Sequence, residues 1–140
     1  MPKLVIDMDY LTLAWQDQSP DTAYYFDIDT GDVHRVSRDL IDLDELTQEI
    51  ERHRERYLYV PKADPKTLNQ ELKDFADSVS DLRLKSMLDV SLEAPNALFS
   101  FRAILSKYTE EMKRWQDFRS QRAQKRVIQW LDANFVEYEL

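Results

Sequence analysis

The chain has 140 residues, of which 43% are hydrophobic and 33% charged, and its formal net charge is −8. This composition is typical of one folded domain, not of a disordered chain. The lack of cysteine excludes disulfides and thiolate chemistry, and the single glycine excludes glycine-rich phosphate loops and dinucleotide fingerprints. No apolar run reaches the ~20 residues of a membrane span, and the acidic N-terminus lacks the apolar region of a signal peptide. We therefore expect a cytoplasmic protein with no membrane association.

Acidic and basic residues are unevenly distributed along the chain. Residues 1–60 contain 14 Asp or Glu and 6 Lys or Arg, whereas residues 61–140 contain 13 of each. Within the second part, residues 102–126 contain eight basic and three acidic side chains, a local charge of +5. The acidic half and the basic segment can pair inside one domain, or the basic segment can face an external partner.

The first predicted elements are a helix and a β-hairpin. Asp7 is a suitable N-cap for a helix over roughly 8–17. The sequence AYYFDIDTGDVHRV has two β-prone runs separated by a turn around 29–32. Gly31, the only glycine, stands where a hairpin with a bulged turn requires a positive φ. We therefore predict a hairpin here.

A second helix and a short strand follow. Asp42 and Glu45 have the spacing of a capping box, which predicts a helix that begins at Asp42. Pro61 closes a short aromatic strand at 57–60, because proline has no N–H for the ladder.

Two segments of the N-terminal half resemble each other. VIDMDYLT (5–12) and LIDLDELT (40–47) agree at five of eight positions, and an aromatic strand follows each. The match indicates either a duplicated helix–strand unit or a chance meeting of two Asp-capped helix starts. A duplicated unit would place the strand at 57–60 in the same sheet as the hairpin.

Beyond residue 62 the sequence predicts helices. Asp64 and Pro65 have the N-cap and first-turn pattern, and Ser80 and Asn96 are suitable N-caps for two further helices. The last six residues, FVEYEL, alternate in polarity and predict a strand that joins the edge of the sheet.

The longest predicted helix covers 108–131 and contains neither glycine nor proline. Its apolar side chains recur at three- and four-residue steps. They are Tyr108, Met112, Trp115, Phe118, Ala123, Val127, Trp130 and Leu131. We predict an α+β fold in a single domain, 1–140, with this helix as the spine of the core. A small antiparallel sheet packs against about six helices, with a helix–hairpin–helix–strand half at 1–62 and a helical half with an extended tail at 63–140.

Several motifs occur together in the order in which one bacterial family has them. They are YYFDIDTGDV (24–33), YLYVP (57–61), the helix at Leu72 to Phe75, and the closing series Ala97, Phe101, Arg102, Leu105, Trp115, Phe118, Arg119, Trp130 and Leu131. By these motifs the chain resembles uncharacterised protein family 0158 over nearly its whole length. It departs at Asn96 and in the tail 135–140, where the family has glycine. The resemblance implies a fold shared with other small bacterial proteins and implies no activity, because the family has none assigned.

Three aspartates surround the predicted turn. Asp27, Asp29 and Asp32 have the carboxylates that a divalent cation or an acid–base site uses. A calcium loop, however, needs glycine at its sixth place and a distal Glu, whereas Gly31 is fifth here. Aspartate also favours turns by bonding to its own backbone. We interpret these four residues as a structural acidic turn, with an enzymatic or metal site as the alternative.

His34 and His53 are the only histidines, and neither stands in a recognisable nucleophile motif. We therefore predict a protein that is not an enzyme, with no catalytic residue, no metal ligand and no cofactor.

Arg119, Arg122 and Arg126 fall within the apolar stripe of the long helix. A guanidinium stays charged, so each must meet water, an aromatic ring or a carboxylate. We hypothesise that at least one of them pairs with an acidic residue of the N-terminal half, with the acidic turn as the nearest source. Otherwise the three arginines and Trp115 form a face for an anion or a partner, and nucleic-acid binding is the alternative function. The net charge of −8 opposes a polyanion.

The function that the sequence favours is a non-catalytic protein-interaction or regulatory module, which binds a partner protein or itself. The hairpin edge and the tail 135–140 are the segments that a partner strand would use.

Overall fold

A computed structural model describes residues 3–140. They form five strands and six helices, which in chain order are β1 (Leu4–Val5), α1 (Met8–Gln16), β2 (Thr22–Asp27), β3 (Val33–Ser37), α2 (Leu43–Arg52), β4 (Tyr57–Tyr59), α3 (Pro65–Asp77), α4 (Leu82–Ser91), α5 (Ala97–Leu105), α6 (Thr109–Ala133) and β5 (Tyr138–Glu139). The fold is α+β, as predicted. Over the part of the chain that the structure describes, no helix is both long and apolar enough to cross a membrane.

The main sheet has three antiparallel strands in the order β3-β2-β4. Its hairpin pairs Phe26 with Val33 and Thr22 with Ser37, so the predicted hairpin is confirmed. On the other side of β2, Phe26 lies opposite Leu58. The strand at 57–60 therefore belongs to the hairpin sheet, as a duplicated helix–strand unit requires.

A second, two-stranded sheet joins the two ends of the described chain. β1 and β5 run parallel, with Leu4 opposite Tyr138 and Val5 opposite Glu139. The tail thus forms a strand, but the prediction that it joins the hairpin sheet is wrong. The backbone of the tail instead forms hydrogen bonds with the short apolar segment around β1.

Three helices begin at the predicted caps. Asp7, Asp64 and Asn96 each accept a hydrogen bond from the backbone N–H three residues further on, at 3.0, 2.8 and 3.3 Å. Each side chain satisfies one of the N–H groups that a helix leaves without a partner at its start.

Two predicted caps need correction. Asp42 precedes α2, but its φ of −100° and ψ of 26° are not extended, and its side chain makes no cap hydrogen bond. Ser80 is not the N-cap of α4, since the neighbouring Asp81 takes that place. The carboxylate of Asp81 accepts the N–H groups of Arg83 and Leu84 at 3.0 and 3.2 Å, and its charge suits the positive end of the helix.

The described chain divides into two compact units. We call residues 1–62 with 123–140 the sheet unit and residues 63–122 the helical unit. A single domain over the whole chain stays a prediction.

The sheet unit has its own apolar core. Its buried members are Ile6, Met8, Leu11, Ala14, Trp15, Tyr24, Phe26, Val60, Ala123, Val127 and Leu131. Trp130 is only partly buried and meets the rings of Trp15 and Phe26 edge-on, at centroid distances of 6.2 and 5.9 Å. The C-terminal part of α6 therefore contributes side chains to this core.

The helical unit is packed around Trp115, which is 1% exposed. Its buried core consists of Leu72, Phe75, Ala76, Val79, Leu84, Leu88, Ala97, Phe101, Leu105 and Trp115. Phe75 touches the rings of Phe101 and Phe118 edge-on. Within each unit, α6 supplies large core side chains, in agreement with its predicted role.

Candidate functional site

The acidic turn is built around the carboxylate of Asp27, which ends β2 and is 1% exposed. Its Oδ1 accepts the backbone N–H groups of Asp29 and Thr30 at 2.8 and 3.3 Å. Arg56 donates from Nε to Oδ1 at 2.9 Å and from Nη2 to Oδ2 at 2.7 Å. Both oxygens of Asp27 are therefore engaged by donors of the chain itself.

These contacts decide the charge of Asp27. Burial alone raises the pKa of the carboxyl, but hydrogen bonds from Arg56 and from the backbone N–H of Asp29 outweigh burial and bring the pKa to about 2. A group that stays ionised and fully bonded at neutral pH is unsuited to proton transfer. Among residues 3–140, no three His, Asp or Glu side chains are grouped to hold a metal ion. The contacts of Asp27 are those that a structural turn requires.

Gly31 has a φ of +83°, so the predicted positive φ is confirmed. The structure adds a second reason for glycine. A Cβ built on Gly31 would lie 2.5 Å from the backbone oxygen of Val5, closer than carbon and oxygen can pack. The backbone of the turn is therefore packed closely against β1. This contact was not predicted from the sequence.

Both histidines lie in the sheet unit. His34 meets the ring of Tyr57 edge-on at 5.7 Å, and His53 has its Nε2 3.9 Å from a carboxylate oxygen of Glu49. Neither arrangement positions a nucleophile beside an imidazole.

The arginine–carboxylate pairing predicted for α6 occurs at Arg122, but with a different partner. Arg122 Nη1 donates to Asp74 Oδ2 at 3.0 Å, and its guanidinium lies 4.6 Å from the centre of the Phe118 ring. Asp74 belongs to α3, in the helical unit, and not to the acidic N-terminal half. The carboxylate of Asp27 is occupied by Arg56. The pair at Arg122 thus ties α6 to α3.

The other members of the predicted face have different surroundings. The guanidinium of Arg119 lies 5.0 Å from the centre of the Trp115 ring. Because that ring is buried, it is not a free platform on which a base can stack. Arg126 is half-buried and lies in the part of α6 that belongs to the sheet unit. Arg126 thus belongs to a different unit from Arg119, Arg122 and Trp115, and the predicted face of these four residues stays a prediction.

Sequence reasoning missed three arginines. Arg56 binds the acidic turn, and Arg102 of α5 approaches the Trp115 ring to 5.9 Å. Arg114 donates to Glu111 at 2.7 Å and to Ser78 at 2.9 Å. The i,i+3 spacing of Glu111 and Arg114 on α6 could have identified that ion pair. No spacing rule marks the other contacts, because each joins residues that the chain brings together only on folding.

The proposed strand edges are partly occupied. β3 and β4 are the two edges of the main sheet, and α2 packs beside β3. The tail is paired with β1. The short β4, of three residues, is the remaining edge of that sheet.

A groove of about 560 Å³ lies in the sheet unit next to the tail. Its lining residues are Leu4, Ile28, Asp29, Asn134, Phe135, Val136 and Glu137. Apolar side chains and two carboxylates thus occur together, and we call this the tail groove. We regard it as the candidate functional site.

Phe135 in this groove has an unusual backbone. Its φ is +58°, and among residues 3–140 it is the only residue other than glycine with a positive φ. It follows the end of α6, where the N–H of Val136 bonds to the oxygen of Leu131 at 3.0 Å and the N–H of Phe135 bonds to that of Asp132 at 3.1 Å. This is the Schellman ending of a helix, whose left-handed position is normally glycine. The side chain of Phe135 is nevertheless 93% exposed.

Comparison with known proteins agrees with the resemblance found in the sequence. The model of an uncharacterised protein family, UPF0158, matches residues 1–139. A UPF0158 protein of Chlamydia trachomatis is 27% identical over 116 residues, which are 82% of this chain and 33% of the relative. A UPF0158 protein of Chlamydia pneumoniae is 28% identical over 100 residues, which are 71% of this chain and 31% of the relative.

The chain thus spans about a third of the length of these curated relatives. No solved structure matches it. A family model that covers almost every residue, together with these relatives, shows that the chain belongs to the uncharacterised protein family UPF0158.

Proposed function

We propose that the chain is a non-catalytic interaction module that binds a basic, partly apolar segment of a partner protein in the tail groove. The observation that carries this proposal is Phe135, whose ring is 93% exposed on a left-handed backbone. That conformation costs an L-residue with a Cβ about 1–2 kcal/mol. Strained residues whose side chains add little to the core are typical of binding sites.

The lining of the tail groove defines the chemistry of the partner. Leu4, Ile28 and Val136 offer apolar surface beside the Phe135 ring, and Glu137 adds an exposed carboxylate. An aliphatic or aromatic side chain fits the apolar part, and a neighbouring Lys or Arg matches the acidic part.

The charge of the sheet unit supports a basic partner. Residues 1–62 and 123–140 contain 17 Asp or Glu against 9 Lys or Arg, so this unit carries the entire net charge of −8. A field of this sign accelerates the approach of a cationic segment and opposes a second copy of the same groove. We therefore favour a basic partner over self-association through this groove.

The experiment selects peptides from a random library on the immobilised full chain. The expected peptides combine Lys or Arg with an aromatic or aliphatic residue, and their affinity falls as salt is added. Phe135→Ala removes the ring and is expected to weaken the selected peptides at least about tenfold, the equivalent of ~1.4 kcal/mol. Phe99→Ala is the matched control, because Phe99 is also exposed but lies in the helical unit.

Two outcomes would overturn the proposal. One is the selection of acidic or purely polar peptides. The other is an equal loss of binding in Phe135→Ala and Phe99→Ala, which would separate binding from the tail groove.

A further inference from the structure

Two guanidinium groups of the helical unit meet on one indole ring. Arg102, from α5, and Arg119, from α6, have their Cζ atoms 5.9 and 5.0 Å from the centre of the Trp115 ring. Trp115 is buried, so the ring is a fixed surface on which both cations rest. Two helices thus each bring one guanidinium to within 6 Å of the centre of the same ring.

Neither Arg102 nor Arg119 has a carboxylate partner of the kind that two other arginines of the helical unit have. Arg114 and Arg122 form ion pairs with Glu111 and Asp74, at 2.7 and 3.0 Å. Within residues 3–140, by contrast, Arg102 and Arg119 form no ion pair, and their side chains donate no hydrogen bond.

The surroundings of Arg119 are unfavourable for an isolated cation. Burial lowers the pKa of Arg119, and repulsion from Arg102 lowers it further. The carboxylate of Glu71 acts in the opposite direction, but it is the weakest of the three influences on this pKa. The indole Nε1 of Trp115 is also buried and has no acceptor among residues 3–140. Donors are therefore in excess around this ring.

We propose that Arg102 and Arg119 form a binding site for a phosphate group. Two guanidiniums beside one ring suit a dianion, and the planar fork of each can donate to a pair of phosphate oxygens. The ring of Trp115 orients both forks before the anion arrives. This site lies in the helical unit and does not depend on the tail groove.

The test uses inorganic phosphate and the full chain. Isothermal titration at constant ionic strength, with chloride as the replaced anion, is expected to show one site in the wild type. Arg102→Gln is expected to weaken phosphate binding at least about tenfold, because one charge-assisted fork is lost. Arg102 is exposed, so this variant is expected to fold. Arg119→Lys keeps the charge but loses the fork, and is expected to weaken binding as well.

Arg83→Gln is the matched control. Arg83 is an exposed arginine of α4 in the same unit, and its replacement changes the net charge equally. Equal weakening in Arg83→Gln and Arg102→Gln would overturn the site, since only overall charge would then matter. So would the absence of a phosphate signal in the wild type.

A single-stranded oligonucleotide provides the other arm of the test. If it binds the wild type much more tightly than phosphate and loses that affinity in Arg83→Gln too, the helical unit is a nucleic-acid surface and the phosphate site is refuted. If phosphate binds and the oligonucleotide does not compete, the site takes a phosphate carried by a smaller molecule or a side chain.

Discussion

Arg56 and Asp27 form a doubly hydrogen-bonded ion pair that holds β4 against β2. The two residues are 29 positions apart in the chain, and their Nε–Oδ1 and Nη2–Oδ2 distances are 2.9 and 2.7 Å. The backbone takes part as well, because the N–H of Ile28 bonds to the oxygen of Arg56 at 3.0 Å. This one side-chain pair therefore stabilises both the turn of the hairpin and the start of β4.

Asp27→Asn is expected to lower the free energy of unfolding by about 3 kcal/mol, because it leaves Arg56 beside a neutral, buried amide. Urea unfolding followed by circular dichroism measures this loss. Asp29→Asn is the control. Asp29 is exposed and 3.4 Å from Arg56 Nε, so its replacement is expected to cost less than about 1 kcal/mol. Equal losses in the two variants would contradict the importance of the buried carboxylate.

The same pair predicts a dependence of stability on pH. The pKa of Asp27 is about 2 in the folded protein, against about 3.9 in an unfolded chain. Between these values the unfolded state binds more protons, so this contribution is complete above pH ~4 and is lost as the pH falls towards ~2. It amounts to about 2.5 kcal/mol. Comparison of wild type with Asp27→Asn across this range isolates it, and parallel curves for the two proteins would contradict the assignment.

A side chain at Gly31 is expected to destabilise the protein for two reasons, the positive φ and the close approach of β1, and two substitutions can separate them. Gly31→Ala is expected to destabilise the protein by more than about 1 kcal/mol, because alanine is strained at positive φ and its Cβ meets the backbone of Val5. Asparagine tolerates positive φ but also carries a Cβ. If the approach of β1 dominates, Gly31→Asn is nearly as destabilising in thermal unfolding as Gly31→Ala. A well-tolerated asparagine would assign the whole effect to φ.

Local features of the fold were predictable from the sequence. The hairpin follows from two β-prone runs around the only glycine, and the helix starts at Asp7, Asp64 and Asn96 follow from capping chemistry that acts within three residues. Distant partners were not predictable. Asp27 pairs with Arg56 rather than with the long helix, because which cation reaches a carboxylate depends on strand pairing.

The tail and the tail groove show the same limit. The alternating tail was predicted as a strand, but β1 has only two residues, too few for a periodicity that would identify it as the partner. Their pairing brings Leu4 beside Val136 and Phe135 and thereby forms the candidate site. The acidic composition of the region was visible in the sequence, but the groove depends on this long-range contact.

Trp115 and Trp130 are expected to differ in importance, although both lie on the same predicted stripe. Trp115→Ala is expected to cost about 3–5 kcal/mol in urea unfolding, because it leaves a large cavity in the core of the helical unit. Trp130 is only partly buried, so Trp130→Ala is expected to cost less, about 2 kcal/mol. A loss below ~1 kcal/mol for Trp115→Ala is inconsistent with a buried indole.

The strain at Phe135 predicts a substitution that stabilises the protein. Phe135→Gly is expected to raise the free energy of unfolding by about 1 kcal/mol, since glycine adopts the left-handed conformation without a Cβ penalty. The ring is 93% exposed, so little packing is lost with it. Thermal unfolding measures the gain, and Phe135→Ala is the control, because it removes the ring but keeps a Cβ. If Phe135→Gly is no more stable than Phe135→Ala, the backbone of Phe135 is not strained. The main observation behind partner binding in the tail groove would then be lost. If the glycine variant is more stable while its peptide binding is lost, stability and binding oppose each other at this residue, as expected where a strained side chain serves a contact.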